Sequence, residues 1–185
     1  MNKIKIRAFW ELTKPDITLL VLISTMVGYV LGISQLSIGV DLFLFFHLIL
    51  GSAFSSAGVS TLNEYLEANL DARMNRTRKR PIPSGKVKPY QALAFGVTVS
   101  IIGVGELFLF VNQLAGILSL TTILLYLFIY TALKRKTELN TLIGAIPGAL
   151  PPIGGWFAAT NDISSIVPAL FGILFCWQIP HFLSL

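Results

Sequence analysis

Long hydrophobic runs alternate with short polar segments along the whole chain. A helix that crosses a hydrocarbon layer of about 30 Å needs roughly 20 predominantly apolar residues, and each run is close to that length. The pattern predicts an all-α fold: a polytopic transmembrane helix bundle that forms a single integral membrane domain over residues 1–185. The predicted spans are Ile17–Ser34, Leu42–Leu62, Ala92–Val111, Leu114–Leu133, Leu142–Ala159 and Ile166–Phe182.

Composition agrees with a bilayer as the solvent. Hydrophobic residues make up 54% of the chain and charged residues 12%, far from the average of soluble domains. The net charge of +5 does not indicate a nucleic-acid partner, because the basic residues interrupt hydrophobic spans instead of covering a soluble face. Membrane lipid is the expected surrounding. The single cysteine, Cys176, excludes an intrachain disulfide.

The basic residues predict an orientation. All 14 Lys and Arg residues fall before the first span, after the second or after the fourth, which is one side of the membrane. The connections on the other side contain Asp41 and Asp162 but no Lys or Arg. By the positive-inside rule, the N-terminus and both basic loops are expected in the cytoplasm, in a chain placed in a bacterial inner membrane.

A stripe of oxygen-bearing side chains follows the second span. Asn63, Glu67 and Asp71 are four residues apart, so they project from one face of a helix that continues past the span. Carboxylate and amide oxygens are ligands that Mg²⁺ accepts while it keeps several waters and bridges to phosphate. An ordinary solvated helix end remains the alternative, and Glu64 lies on nearly the same face.

A basic tract, Arg73–Arg80, follows the stripe, and Pro81 comes directly after it. Cations beside a Mg²⁺ site suit a diphosphate, because Arg forks bind phosphate oxygens in pairs. The basic cluster after the fourth span, which includes Lys134 and Arg135, faces the same compartment and would complete a diphosphate clamp. The alternative is charge that only fixes topology or contacts anionic lipid. The candidate diphosphate ligands are Arg76, Arg80, Lys134 and Arg135.

Glycine and proline crowd the fifth span. Broken backbone at membrane depth is tolerated where it is buried or lines a cavity, and we favour a cavity-lining broken helix over simple close packing. For Gly28 and Gly32 in the first span we favour close packing. Two histidines, His47 and His181, are imaginable haem ligands, but a lone membrane histidine more often bonds a neighbouring helix. Glu106 is interpreted as a packing or interfacial carboxylate.

These residues resemble the UbiA superfamily of intramembrane prenyltransferases. Asn63, Glu67 and Asp71 match its first Asn-xxx-Asp/Glu-xxx-Asp motif, with Glu67 where many members have Asp. The closer resemblance is to the branch that farnesylates haem. It is carried by Thr13–Thr18, Arg76–Pro81, Pro83–Gly85, Asn140–Pro152, Trp156, Trp177–Gln178 and Pro180–Phe182.

The resemblance implies an enzyme that binds farnesyl diphosphate through Mg²⁺ and cations and alkylates a vinyl group of haem B to give haem O. No nucleophilic side chain is required. It also implies about nine helices and a second aspartate-rich motif after the sixth, so we expect the chain to be truncated at its C-terminus. Expected partners are haem B, farnesyl diphosphate, lipid, and membrane proteins of haem A synthesis or oxidase assembly.

Two other functions remain open. A prenyltransferase of the same superfamily with an aromatic, quinone-precursor or glycerol phosphate acceptor would share the acidic stripe, but the basic loop and the fifth span argue against it. A small transporter would also contain broken helices and buried polar groups. It predicts symmetric halves and polar groups near mid-membrane, whereas here the polar residues cluster at one surface.

We predict that both termini of the six-helix segment lie in the cytoplasm, because every basic cluster falls on that side. Reporters fused at Asp41 and Asp162 should be active only if they are of a kind that functions on the side of the membrane opposite the cytoplasm. A cytoplasmic reporter that is active at either aspartate would contradict this topology.

Overall fold

The computed structural model describes residues 3–133 and 140–183, without the side chains of residues 140 and 181–183. Within these residues the fold is all-α and contains no strand, as predicted. A π-helical turn spans Leu125–Tyr130. The helices are α1 Lys3–Leu12, α2 Pro15–Leu36, α3 Leu42–Asp71, α4 Pro89–Phe110, α5 Gln113–Leu124, α6 Thr131–Leu133, α7 Asn140–Gly148, α8 Pro151–Thr160 and α9 Ile166–Leu183.

Five helical segments in the described part are long and apolar enough to cross a membrane. They correspond to the first five predicted spans, and they make this chain an integral membrane protein. The sixth predicted span is a helix as well, but its apolar segment, Ile166–Pro180, is shorter than the other five. The fifth span consists of two helices that meet at residues 149–150.

Polar side chains fix the turns on the side away from the basic loop. The Asp41 carboxylate accepts hydrogen bonds from the backbone N–H groups of Phe43 at 3.0 Å and Leu44 at 3.1 Å, which satisfies donors at the start of α3. The side-chain oxygen of Asn112 accepts a hydrogen bond from the backbone N–H of Ala115 at 2.9 Å, which caps α5. The side-chain amide of Asn112 donates to the carbonyl oxygen of Phe157 at 2.7 Å. The α4–α5 turn is therefore attached to α8.

The first and fifth spans pack with their backbones in close contact. A Cβ added at Gly28 would overlap the carbonyl group of Pro152, and one added at Gly155 would overlap the carbonyl oxygen of Thr25. Without a hydrophobic force between helices in lipid, such close approach of small residues holds a bundle together. The packing interpretation of Gly28 is confirmed, and the break in the fifth span is confirmed as well.

The basic connection between α3 and α4 is packed rather than extended. Ile82 and Val87 are 6% and 1% exposed and form a core cluster with Ala8 and Leu12 of α1 and Ala92 of α4. Turn hydrogen bonds, such as Val87 N–H to the Pro81 carbonyl at 3.1 Å, hold its shape. The predicted continuation of the second span as helix through Asp71 is confirmed. The loop therefore lies folded against the end of α3.

Two adjacent glycines provide a test of the α2–α8 contact. We expect Gly155→Ala to lower the stability of the bundle by about 1–3 kcal/mol, the usual cost of overpacking, because the added methyl group meets backbone of α2. Gly154→Ala is the matched control, since its Cβ would lie 3.6 Å from the side chain of Leu118. Size-exclusion measurements of thermal unfolding in detergent should separate the two variants. Equal melting temperatures would contradict this packing.

Candidate functional site

The three residues of the predicted acidic stripe are buried and lie on one side of a common cavity. Asn63, Glu67 and Asp71 are 3%, 6% and 4% exposed, although they occupy the polar end of α3. Their i, i+4 spacing places them on one face, and the basic loop packs over that end of the helix. Polar groups are rarely buried without a compensating interaction, so the surroundings of these oxygens define the site.

The cavity has a volume of about 420 Å³ and contains both charged and apolar surface. Two of the four predicted diphosphate ligands, Arg76 and Arg80, line it together with the stripe. The other two, Lys134 and Arg135, lie outside the described residues. The remaining lining residues are Lys14, Leu70, Met74, Thr77, Tyr126 and Tyr130.

Asp71 is held by the loop that follows it. The Arg80 guanidinium lies 2.7 Å from the Asp71 carboxylate, in an ion pair whose acidic side chain is 6% exposed and whose basic side chain is 27% exposed. The hydroxyl of Thr77 donates to the Asp71 backbone carbonyl at 3.0 Å. The turn structure thus brings a cation back to the end of the helix from which the loop begins.

Lys14 reaches the same cavity from the first span, and the sequence interpretation did not assign it to the site. Its backbone is left-handed, with φ 46° and ψ 66°, and it precedes Pro15, where extended backbone is strongly preferred. The Lys14 ammonium donates to the side-chain oxygen of Asn63 at 3.4 Å. Burial lowers the pKa of Lys14, and the carboxylate of Glu64 opposes that shift.

The left-handed backbone at Lys14 is held by its surroundings, because such conformations persist only where the surrounding structure enforces them. The position could have been noticed as a basic residue directly before a proline and a hydrophobic span. By that pattern alone it is equivalent to topological charge, like Lys3 and Lys5. Only the tertiary structure separates it from them.

A π-helical turn in the fourth span supplies the aromatic wall of the cavity. Tyr126 and Tyr130 both line the cavity, and their ring centroids are 5.1 Å apart. The Thr131 hydroxyl donates to the Tyr126 carbonyl at 2.8 Å and accepts from the Asn63 amide at 3.3 Å, which connects this turn to the acidic stripe. Short π-helical turns occur frequently at functional sites. No periodicity in the sequence predicted this one.

The oxygen donors fit a hard divalent cation. Among the described residues no group of three or more His, Cys, Asp or Glu side chains is placed to hold a metal, so the candidate set is two carboxylates and one amide. Asn63, Glu67 and Asp71 share the cavity wall, and a cation that keeps several waters needs only a few protein ligands. Arg80 and Lys14 contact the outer two members of this set.

The fifth span does not contribute to this cavity within the described residues. The lining contains no residue of α7 or α8, and Gly155 is packed against α2 instead. Gly155 is therefore a position of close packing, whereas the favoured interpretation of the fifth span as a broken helix that lines a cavity stays a prediction. Gly155 allows backbone contact with α2, whereas Gly144 and Gly148 lie against the side chains of Tyr130 and Gln178.

His47 bonds a neighbouring helix, which is the interpretation that the sequence favoured over a haem ligand. Its Nδ1 atom is 2.6 Å from the Glu106 carboxylate on α4, and its ring stacks on Phe110 with a centroid distance of 4.5 Å. Glu106 is accordingly a packing carboxylate between α3 and α4. The side chain of His181 lies outside the described residues.

The fold and the cavity define an integral membrane helical bundle with a cavity of charged, polar and aromatic side chains at one end. The family model described as "UbiA prenyltransferase family" matches residues 21–185. The chain belongs to the UbiA prenyltransferase family. Enzymes of this family generally use a divalent metal, in agreement with the oxygen donors in the cavity.

Curated proteins are similar in sequence to this chain along most of its length. The protoheme IX farnesyltransferase of Solibacter usitatus is 44% identical over 185 residues, which cover 97% of this chain and 63% of that protein. The protoheme IX farnesyltransferase of Salinibacter ruber is 44% identical over 94% of this chain and 60% of its own length. The protoheme IX farnesyltransferase of Trichodesmium erythraeum is 41% identical over 97% of this chain and 54% of its own length. The chain thus spans less than two thirds of the length of these relatives.

A solved structure has the same fold. It comes from a study of digeranylgeranylglyceryl phosphate synthase in membranes, and it superposes with a TM-score of 0.81 over 95% of this chain and 60% of its own. The sequence identity is 20%, so this likeness concerns the fold alone. It agrees with the predicted all-α membrane bundle.

The Asp71–Arg80 ion pair predicts a stability difference. Arg80→Gln should destabilise the metal-free protein by about 2 kcal/mol, below the ~3–5 kcal/mol of a fully buried pair because Arg80 is partly exposed. Thermal unfolding in detergent with chelator measures the change, and the exposed Arg78→Gln is the control. The double variant Asp71→Asn, Arg80→Gln should recover part of the loss, since no buried charge remains unpaired. Lack of recovery would contradict the pairing.

Proposed function

We propose that the protein containing this chain transfers the farnesyl group of farnesyl diphosphate to a vinyl group of haem B, giving haem O. The observation that carries the proposal is the cavity in which Asn63, Glu67 and Asp71 face Arg76 and Arg80. A buried set of oxygen ligands beside cations suits a metal-bound diphosphate. The named relatives, which share 41–44% identity with this chain, support the choice of donor and acceptor.

Mg²⁺ is the proposed metal, held by Asn63, Glu67 and Asp71. When bound, it would neutralise charge on the departing diphosphate. The chain itself supplies the lysine and two arginines of the cavity against two carboxylates, a formal excess of one positive charge. That excess is smaller than the charge of a diphosphate, so a divalent metal would supply neutralising charge that these five side chains do not.

The cationic side chains would act on the leaving group. As the allylic carbon–oxygen bond breaks, the electron pair leaves with the diphosphate, and Arg76, Arg80 and Lys14 would stabilise the charge that develops on its oxygens. Arg80 would exchange part of its contact with Asp71 for the phosphate, and Lys14 its contact with Asn63. Lys134 and Arg135 are proposed to complete this clamp.

The acceptor step requires no nucleophilic side chain. The terminal vinyl carbon of haem B attacks the allylic cation, water adds to the adjacent carbon, and one proton is released, so that the products are haem O and diphosphate. Tyr126, Tyr130 and Leu70 give the cavity an apolar wall, which would keep water from the cation before the vinyl carbon reacts.

The orientation follows from the basic clusters. In a bacterial inner membrane, with the N-terminus and the basic loop on the cytoplasmic side, the cavity would open to the compartment that contains soluble farnesyl diphosphate. Membrane proteins of haem A synthesis or oxidase assembly are the proposed partners, because haem O is too apolar to leave the bilayer readily.

The proposal predicts that turnover depends on Mg²⁺ and on Asp71. In the complete protein, Asp71→Asn should reduce turnover at saturating substrates by at least an order of magnitude, since charge-stabilising contacts of this kind are worth about 3 kcal/mol. Haem O formed from haem B and farnesyl diphosphate is measured by chromatography and mass spectrometry, with chelator and added Mg²⁺ as paired conditions. The control is Asp162→Asn, an exposed aspartate that does not line the cavity.

Two outcomes would contradict the proposal in different ways. Unchanged turnover in Asp71→Asn would show that the stripe does not hold the metal. Metal-dependent release of diphosphate with an aromatic or quinone-precursor acceptor, but none with haem B, would retain the prenyltransferase site and reject the acceptor.

A further inference from the structure

A second cavity lies outside the candidate site, between α1 and the basic loop. Its volume is about 270 Å³, and it is lined by Ile4, Arg7, Ala8, Glu11 and Lys86. None of these residues lines the larger cavity that contains the acidic stripe. We call it the α1 cleft.

The α1 cleft is held by a core and is not an accidental gap between loose segments. Ala8, one of its lining residues, is 1% exposed and belongs to the cluster that includes Leu12, Ile82 and Val87. That cluster attaches α1 to the same loop that supplies Lys86. The two walls of the cleft are therefore fixed relative to each other.

The ends of two spans place the α1 cleft at the level of the lipid headgroups. Glu11 lies four residues before Pro15, where α2 begins, and Lys86 lies three residues before Pro89, where α4 begins. Trp10 and Tyr90 are each 64% exposed near these same helix ends. Exposed Trp and Tyr are enriched at the boundary between hydrocarbon and headgroups, so the cleft adjoins that boundary.

The outward surface of α1 combines apolar and cationic side chains. Ile6 and Trp10, one turn apart, are 52% and 64% exposed on the side away from the buried Ala8. Lys3 and Arg7 lie beside them and are exposed. A short helix with a Trp-containing apolar face and a cationic flank is typical of segments that lie in an anionic membrane surface.

The charges of the α1 cleft complement one phosphodiester. Arg7 and Lys86 are cationic, and Glu11, whose carboxylate lies 3.3 Å from Arg7 Nε, offsets one of them. The cleft therefore carries one formal positive charge, while Ile4 and Ala8 provide apolar surface beside it. Arg7 uses Nε for the ion pair and retains guanidinium donors for phosphate oxygens.

We propose that the α1 cleft binds the headgroup phosphate of an anionic phospholipid, with Arg7 and Lys86 as its ligands and Trp10 inserted beside the acyl chains. This site is separate from the diphosphate cavity, and the inference does not depend on the proposed function. It assigns α1 the role of an interfacial anchor at the N-terminal end of the first span.

Trp10 fluorescence in vesicles tests the proposal. The Trp10 signal is the difference between the protein and its Trp10→Phe variant. Two sets of vesicles contain the same fractions of phosphatidylglycerol and phosphatidylcholine. Brominated acyl chains, which quench tryptophan, are carried by the anionic lipid in the first set and by the zwitterionic lipid in the second. We expect stronger quenching in the first set, because anionic lipid is enriched at the cleft.

Matched variants separate the cleft from general surface charge. Arg7→Gln combined with Lys86→Gln should reduce the anionic enrichment by about fivefold for each cation removed, the equivalent of about 1 kcal/mol. Arg78→Gln combined with Lys79→Gln removes the same charge from exposed loop positions outside both cavities and should leave the enrichment unchanged. Arg7→Lys keeps the charge and should retain most of the preference, which also shows that α1 tolerates substitution.

Three results would overturn the proposal. Equal quenching in the two vesicle sets would mean that the α1 cleft does not select anionic lipid. An equal loss in the two double variants would assign the preference to net charge. Equal quenching in the two vesicle sets, together with binding of inorganic phosphate that the Arg7→Gln, Lys86→Gln variant loses, would show that the cleft binds a free phosphate anion and not a lipid headgroup.

Discussion

Burial of acidic side chains at the end of a membrane helix is the constraint on which the rest of this structure depends. Glu67 and Asp71 are almost inaccessible, and the energetic cost of desolvating a carboxylate has to be offset by nearby cations or hydrogen bonds. The loop after α3 offsets this cost for Asp71 through Arg80, and the N-terminus of α2 places Lys14 against Asn63. The cavity exists where these three segments converge, so charge compensation and site geometry have the same origin.

Close packing of the spans determines where those segments lie. The contact of Gly155 with the backbone of α2 fixes the first span against the fifth, and the core around Val87 fixes α1 and the loop against the start of α4. Lys14 adopts its left-handed backbone between these two attachments. Its ammonium group is thereby directed to the cavity, although a residue directly before proline prefers an extended conformation.

The polar end of the bundle contains two cavities with different chemistry. The larger cavity combines buried oxygen donors with cations, which suits a metal-bound diphosphate. The α1 cleft contains exposed cations with apolar neighbours, which suits a phospholipid at the membrane surface. The helix α1 connects them, because Ala8 lines the cleft and Leu12 lies two residues before Lys14. The position of Lys14 is thus tied to the packing of the interfacial helix.

The sequence by itself determined the helical class, the approximate span limits and the common face of Asn63, Glu67 and Asp71. Hydrophobic length and four-residue spacing are local properties, and a membrane removes the alternatives by demanding that backbone hydrogen bonds be satisfied within each helix. The sequence also singled out Arg76 and Arg80, which line the cavity, but only the tertiary structure decided that Lys14 joins them and that Lys86 does not. Lys14 and Lys86 are indistinguishable as basic residues near the membrane surface, and they differ only through the turns and helix contacts that direct them to the larger cavity or to the α1 cleft. The same reason explains the π-helical turn and the packing of the fifth span, because both depend on neighbours distant in sequence.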